Sequence, residues 1–252
     1  MSSAQRLRQI TEAVREAGRL GVAELAALTG SSEMTVRRDL EVLADQGVVE
    51  RYRGGARSLL LRGEEPPFAL RAQEGADAKR RIAAEVANLI ADGESVVLDS
   101  GTTCLEVARA LRDRRVTVAP LSLHAVNELT AAPNVTLLVP GGRPRPGELA
   151  LTGPLTQASL AALRFDTAVI GCCGLTAADG LTAYDLDDAA VKRTAIASAR
   201  RVIAVTESAK LSRTSLAFVA PPSALHALVT DEAAPKDETA AIAAAGVTVR
   251  RV

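Results

Sequence analysis

Tryptophan is absent from this 252-residue chain, and other aromatic residues are scarce, with three phenylalanines and two tyrosines. Any core must therefore be packed from Leu, Val, Ile and Ala, which the hydrophobic fraction of 48% supplies. Net charge is also absent, because 30 basic residues balance 30 acidic ones. This composition excludes an intrinsically disordered protein, and the length accommodates one large domain or two ordinary ones.

Cysteine and long apolar segments are scarce as well. The three cysteines include the adjacent pair Cys172-Cys173, which argues against a disulfide framework. No stretch offers the roughly 18 consecutive apolar residues of a membrane span, and the first residues lack the apolar run of a signal peptide. We expect a soluble, cytoplasmic protein without a membrane partner.

The first 57 residues have the pattern of a small helical domain. Three predicted helices carry apolar residues at helical spacing and end near glycines, at Gln5–Ala17, Val22–Leu28 and Glu33–Gln46. Val48–Tyr52 and the turn at Gly54-Gly55 then predict a hairpin. This order is that of a winged helix-turn-helix. Residues 58–75, which contain Gly63, Pro66 and Pro67, are interpreted as a linker.

From residue 76 onward, short strands rich in Val, Ile and Leu alternate with amphipathic helices. The predicted strands are Ser95–Asp99, Val116–Ala119, Val135–Val139, Thr167–Gly171, Arg201–Thr206, Ala227–Thr230 and Val247–Val252. The predicted helices are Asp77–Ala91, Thr103–Arg112, His124–Ala131, Leu155–Leu163, Leu186–Ala199 and Lys236–Ala245. The predicted fold class is α/β: a winged helix-turn-helix domain (1–57), then an open, mostly parallel α/β domain (76–252).

The third helix and the hairpin carry the candidate DNA contacts. Val36, Leu40 and Leu43 fall at i, i+4 and i+7 and form the buried face of the helix. The opposite face and its flanks carry Met34, Thr35, Arg37 and Arg38. Such a helix can lie in the major groove, and the hairpin arginines suit a wing that contacts phosphates: Arg51, Arg53 and Arg57. A solvated helix face stays an alternative, because five acids balance the five arginines between residues 31 and 57.

A candidate anion site follows the first strand of the second domain. Asp99 runs into the small, hydroxyl-rich turn Ser100-Gly101-Thr102-Thr103, directly before a predicted helix. The unpaired N–H groups and the dipole of a helix N-terminus favour an anion such as phosphate. The alternative is that Thr103 and Glu106 form a capping box that only starts the helix.

Further turns follow neighbouring strands. Gly141-Gly142 follows the third strand, Gly171–Gly174 follows the fourth, and Ser122 follows the second. Ligands of open parallel sheets bind at the carboxyl ends of strands, so these turns are expected to converge on one crevice. Each turn taken singly can also be an ordinary connection between a strand and a helix.

The motifs resemble the DeoR family of bacterial transcriptional regulators over nearly the whole chain. The resemblance rests on Ser32–Leu40, Arg51–Ala56, Leu98–Thr103, Gly141-Gly142, Leu151–Pro154, Gly174 with Gly180–Thr182, and Ser208–Lys210. It implies that Glu33–Gln46 is the recognition helix, which Ser32 precedes. It also implies a sensor domain similar in fold to ribose-phosphate isomerase and glucosamine-phosphate deaminase, with a sugar-phosphate effector. The implied effector residues are Asp99, Ser100, Gly101, Thr102, Thr103, Ser122, Gly141, Gly142, Gly174, Asp185, Lys192 and Lys210.

The leading hypothesis is a ligand-responsive repressor of a carbohydrate-use operon. Its expected partners are operator DNA, a sugar phosphate and further copies of the chain, as a dimer or tetramer. The rival hypothesis is a sugar-phosphate isomerase or deaminase with an accessory domain, in which Asp185 or Asp188 is the base beside Lys192 or Lys210. The winged helix-turn-helix pattern favours the regulator, because an isomerase does not need it.

Two further interpretations concern the pocket and metals. The chain departs from the family pattern at Pro120-Leu121 and at Glu207. If Pro120-Leu121 closes the crevice, a third hypothesis is an interaction protein whose pocket is empty. Neither cofactor nor metal is expected, because no ligand spacing of a metal site links the cysteines and histidines Cys104, His124, Cys172, Cys173 and His226.

Overall fold

The computed structural model describes residues 3–60 and 65–252. The chain forms two compact units, and it passes from the first to the second between Glu74 and Gly75. No helix within the described ranges is long and apolar enough to cross a membrane.

The first unit is a winged helix-turn-helix. Its helices are α1 (Ser3–Ala17), α2 (Val22–Thr29) and α3 (Glu33–Asp45). Its strands, β1 (Arg19–Gly21), β2 (Val49–Tyr52) and β3 (Gly55–Ser58), form an antiparallel sheet in the order β1-β3-β2. The face of α3 predicted to be buried packs in the core, since Val36, Leu40 and Leu43 are at most 1% exposed.

The region interpreted as a linker contains ordered structure. A short helix, α4 (Phe68–Gln73), follows Pro66-Pro67, and its Leu70 joins the core of the first unit. The interpretation of 58–75 as a linker did not include this helix. Gly63 lies outside the described residues.

The second unit is built on a seven-stranded, fully parallel sheet, as the alternation of strands and helices predicts. Its strands are β4 (Ser95–Leu98), β5 (Val116–Pro120), β6 (Val135–Leu137), β9 (Phe165–Gly171), β12 (Ala199–Val205), β14 (Ala227–Thr230) and β15 (Thr248–Arg251). Their spatial order is β15-β14-β12-β9-β4-β5-β6. From β4 the chain runs outward to β6, then returns to the other side of β4, so the order reverses between β4 and β9.

Helices cover both faces of this sheet. Adjacent strand residues serve different cores: Val96 and Leu98 belong to one, and Val97 to the other. The Val96 core includes side chains of α5 (Ala76–Leu89), α6 (Thr102–Leu111) and α7 (Leu123–Leu129). The Val97 core includes side chains of α8 (Pro154–Ala161), α9 (Leu186–Ala197) and α10 (Lys236–Ala244).

Smaller strands supplement the parallel sheet and were not expected from the sequence. A two-stranded ribbon is formed by β7 (Arg143–Pro144) and β8 (Leu151–Thr152). An antiparallel sheet is formed by β10 (Gly174–Thr176), β11 (Gly180–Ala183) and β13 (Ala217–Ala220), and Leu175 and Leu181 contribute to the Val97 core.

Candidate functional site

The exposed face of α3 is the candidate DNA-binding surface. Ser32 caps the helix, with its Oγ accepting from the backbone N–H of Thr35 at 3.2 Å, which fixes where the helix begins. Met34 is 61% exposed, and Arg38 is exposed one turn further along. Side chains that emerge opposite the packed face can enter the major groove.

A buried ion pair holds α3 on α1. Asp39 is 6% exposed and accepts hydrogen bonds from two guanidinium nitrogens of Arg6. The hydrogen bond that Arg6 donates to Asp39 also raises the pKa of Arg6. Asp39 therefore has a packing role, and the neighbouring Arg38 is left on the surface.

Ion pairs divide the five candidate DNA-contacting arginines into two groups. Three have an acidic partner within 3.0 Å: Arg37 with Glu33, Arg51 with Glu41, and Arg57 with Glu50. Arg38 and Arg53 have no ion pair with any residue that the structure describes. An unpaired guanidinium does not have to break a protein contact before it binds DNA, so Arg38 and Arg53 are the better placed.

In the second unit, the predicted site lies at the reversal of strand order. We call the carboxyl ends of β4, β5 and β9 the switch-point edge. Asp99 follows β4 there, and its Oδ2 accepts from the N–H of Gly171 at the end of β9, at 2.9 Å. The Leu121 N–H after β5 donates to the carbonyl of Leu98 at 2.8 Å. Such a reversal is where open α/β sheets bind ligands.

A buried charge cluster lies at this edge. The ammonium of Lys192, on α9, hydrogen-bonds to Oδ2 of Asp99 and lies 3.3 Å from Oδ2 of Asp188. All three residues are at most 7% exposed. Burial raises the pKa of Asp99, and the nearby Asp188 carboxylate adds to the rise. Burial opposes the charge on Lys192, but Asp188 and Asp99 outweigh it and raise the pKa of Lys192.

The Ser-Gly-Thr-Thr turn begins α6, and its three hydroxyl residues are at most 8% exposed. Gly101 is the N-cap residue of α6, has φ +101°, and would direct a Cβ into open space. The hydroxyls of Ser100, Thr102 and Thr103 make no hydrogen bond to any part of the chain that the structure describes. The capping-box alternative is wrong, because Gly101 rather than Thr103 is the cap and Glu106 pairs with Arg109.

Four other predicted effector residues have local structural partners. Ser122 caps α7, and Asp185 caps α9 by accepting from the N–H of Asp188. Lys210 donates to the carbonyl of Cys172 at 3.0 Å. The carbonyl of Gly141 accepts from Thr156 Oγ1, which ties the Gly141-Gly142 turn to α8.

One sequence interpretation at this edge requires correction. Gly174 does not lie in a strand-to-helix turn: it belongs to β10, where a Cβ would lie 2.3 Å from the carbonyl of Arg213. Glycine is therefore needed there for packing. Leu121, whose effect on the crevice stays a sequence prediction, is 1% exposed and packs in the Val97 core.

Arg145 was not among the residues predicted from the sequence. Its Nη1 lies 4.0 Å from Oδ2 of Asp185, and its buried Nε has no hydrogen-bond partner within the described ranges. Its position between β7 and β8, three residues after Gly142, was the available signal. Neither strand was predicted, and an arginine in an unassigned loop carries no motif.

Comparison with known proteins finds a matching family model for each of the two units. The model of the DeoR-like helix-turn-helix domain matches residues 6–60, and that of the DeoR C-terminal sensor domain matches residues 74–232. An HTH-type transcriptional regulator of Haloferax volcanii is 32% identical over 250 residues, which are 99% of this chain and 98% of that protein. The glycerol-3-phosphate regulon repressor of Escherichia coli is 29% identical over 93% of each chain.

Among solved structures, ribose 5-phosphate isomerase A of Methanocaldococcus jannaschii matches 55% of each chain, with 17% identity and a TM-score of 0.42. The two family models together span both units of the chain, and its curated relatives match along almost their full length. The chain belongs to the DeoR family and is a DNA-binding transcriptional regulator rather than an enzyme.

Proposed function

We propose that this regulator represses genes for carbohydrate use and releases its operator when a phosphorylated sugar binds the second unit. The observation that carries the effector class is the start of α6 at the switch-point edge. There the hydroxyls of Ser100, Thr102 and Thr103, which bond to no described residue, accompany the first-turn N–H groups, and the first helical hydrogen bond runs from Leu105 to Gly101. Hydroxyl and amide donors at the positive end of a helix suit a phosphate.

DNA binding uses α3 and the wing. Met34, Thr35 and Arg38 read bases in the major groove, whereas Arg53 and its neighbours in the hairpin contact phosphates. The chain acts as a homo-oligomer, since two recognition helices one helical turn apart read two half-sites. The name of the Escherichia coli relative refers to a small polyol phosphate, which supports an effector of this class.

Calorimetric titration tests the effector class. Wild-type protein is titrated with glycerol 3-phosphate, ribose 5-phosphate and glucose 6-phosphate, and with the three unphosphorylated compounds. We expect at least one phosphate to bind, and its unphosphorylated counterpart to bind at least about tenfold more weakly, because charge-assisted hydrogen bonds contribute about 1.5–3 kcal/mol. A free sugar that binds as tightly as its phosphate would contradict the proposal.

Thr102→Val supplies the matched variant for this titration. It keeps the size and β-branching of threonine and removes one hydroxyl from the proposed phosphate site. We expect an unchanged unfolding temperature and operator affinity, but an affinity for the sugar phosphate lower by about tenfold.

A further inference from the structure

The buried charges at the switch-point edge do not supply a cation to an anionic ligand. Lys192 is 3% exposed, and its ammonium already contacts Asp99 and Asp188. Two carboxyl groups share this one ammonium, so the cluster has no spare positive charge for a phosphate. The positive charge that a phosphate ligand needs must therefore come from another residue.

The loop that carries Arg145 is fixed to the same edge. The carbonyl of Leu149 accepts from the N–H of Leu123 at 3.0 Å, and the N–H of Leu151 donates to the carbonyl of Leu121 at 2.9 Å. Leu149 itself has φ +52°, a left-handed conformation that a non-glycine residue keeps only where its surroundings enforce it. The loop is thus held against the end of β5, beside the turn that follows β4.

The side chain of Arg145 has hydrogen-bonding capacity that is unsatisfied by the described residues. Its only described ion pair is the 4.0 Å contact with Asp185, whose other carboxylate oxygen already caps α9. Among the described residues the buried Nε has no hydrogen-bond partner, whereas a buried polar group is normally hydrogen-bonded. Asp185 caps α9, the helix that carries Asp188 and Lys192, so Arg145 contacts the start of the helix that supplies the charge cluster.

We propose that Arg145 is the cation that binds the phosphate of the effector, opposite the Gly101–Thr103 turn. The proposal rests on the proposed function, because it assumes a phosphorylated effector. A guanidinium matches a phosphate with two parallel hydrogen bonds, and binding would move Arg145 away from its long contact with Asp185. Arg145 therefore determines the preference for a phosphate over the free sugar, while Lys192 organises the edge from inside.

Calorimetry on two matched variants tests this role. Arg145→Ala removes the proposed ligand, and Arg143→Ala is the control, since Arg143 lies on the same loop, is 77% exposed and pairs with Asp187 on the same helix. The probes are the three sugar phosphates named above, their unphosphorylated forms and inorganic phosphate. We expect Arg145→Ala to weaken the best-bound sugar phosphate by about 10- to 100-fold and the free sugar by less than about threefold.

Arg145→Lys extends the series, because it keeps the charge and loses the paired hydrogen bonds, so an intermediate affinity is expected. If the sugar phosphate binds Arg145→Ala as tightly as wild type, or if phosphate and free sugar are weakened equally, the assignment of Arg145 is wrong and the proposed function stands. An equal loss in Arg143→Ala also overturns it. If neither inorganic phosphate nor any sugar phosphate binds wild type, both proposals fail.

Discussion

At the scale of single residues, Arg37 and Arg38 differ in whether they form an ion pair within the protein. Arg37 pairs with Glu33 one turn earlier on α3, whereas Arg38 has no ion pair with a described residue. The sequence contains part of this distinction, because an acid four residues before an arginine is a known helical pairing. It does not reveal that Arg51 meets Glu41, since ten residues and a turn separate them.

Arg38→Ala is expected to lower operator affinity by about 1–3 kcal/mol, because it removes a base contact. Binding to random DNA should fall much less. Arg37→Ala is the matched control, and its effect on the operator should be smaller because Arg37 is neutralised by Glu33. Electrophoretic mobility shifts on operator and random duplexes measure both. Equal losses of Arg38→Ala on the two DNAs would make Arg38 a phosphate contact.

Arg53→Ala should weaken binding to every sequence to a similar degree. A phosphate contact releases counterions, so the slope of log K against log salt should fall by roughly one unit. Fluorescence anisotropy at several salt concentrations gives that slope. If it is the same as in wild type, Arg53 does not contact the backbone.

At the scale of elements, a buried ion pair joins α5 to the turn after β12. Lys79 is 1% exposed, and its Nζ lies 3.4 Å from Oε1 of Glu207. Glu207→Gln removes one carboxylate from beside the buried ammonium of Lys79 and should destabilise the second unit by about 1.5–3 kcal/mol. Glu85→Gln, which breaks a partly exposed pair between α5 and Arg250, should cost less than about 1 kcal/mol. Urea unfolding compares them, and equal midpoints would contradict the assignment.

The elements that the sequence did not predict are short or depend on tertiary pairing. Helix α4 has six residues and follows two prolines, so it contains too few turns to display an apolar period. The strands β10, β11 and β13 have three or four residues each, and Gly174 and Gly180 have no side chain to reveal a pattern. Packing against the Val97 core, rather than local preference, stabilises these strands.

At the scale of the whole molecule, the sequence predicts the helix-turn-helix and the parallel sheet because their periodicities are strong. Buried strands such as Val96–Leu98 and helix faces such as Val36, Leu40 and Leu43 display them within a few residues. The spatial order of the strands was not predicted. That order brings Asp99 to Gly171 and Lys192, which lie 72 and 93 residues further along the chain, and no local pattern records this.

Operator affinity measured with and without sugar phosphate tests the central claim most directly. A labelled duplex selected by the wild-type protein is titrated at constant salt, alone and with a saturating phosphate or its free sugar. We expect the sugar phosphate to weaken operator binding by about 5- to 150-fold, which is the usual range of allosteric coupling. An effector that prefers the DNA-free protein lowers the affinity for DNA by the same factor by which DNA lowers the affinity for the effector. The free sugar at the same concentration should change it little. A phosphate that binds the protein yet leaves operator affinity unchanged would contradict the account.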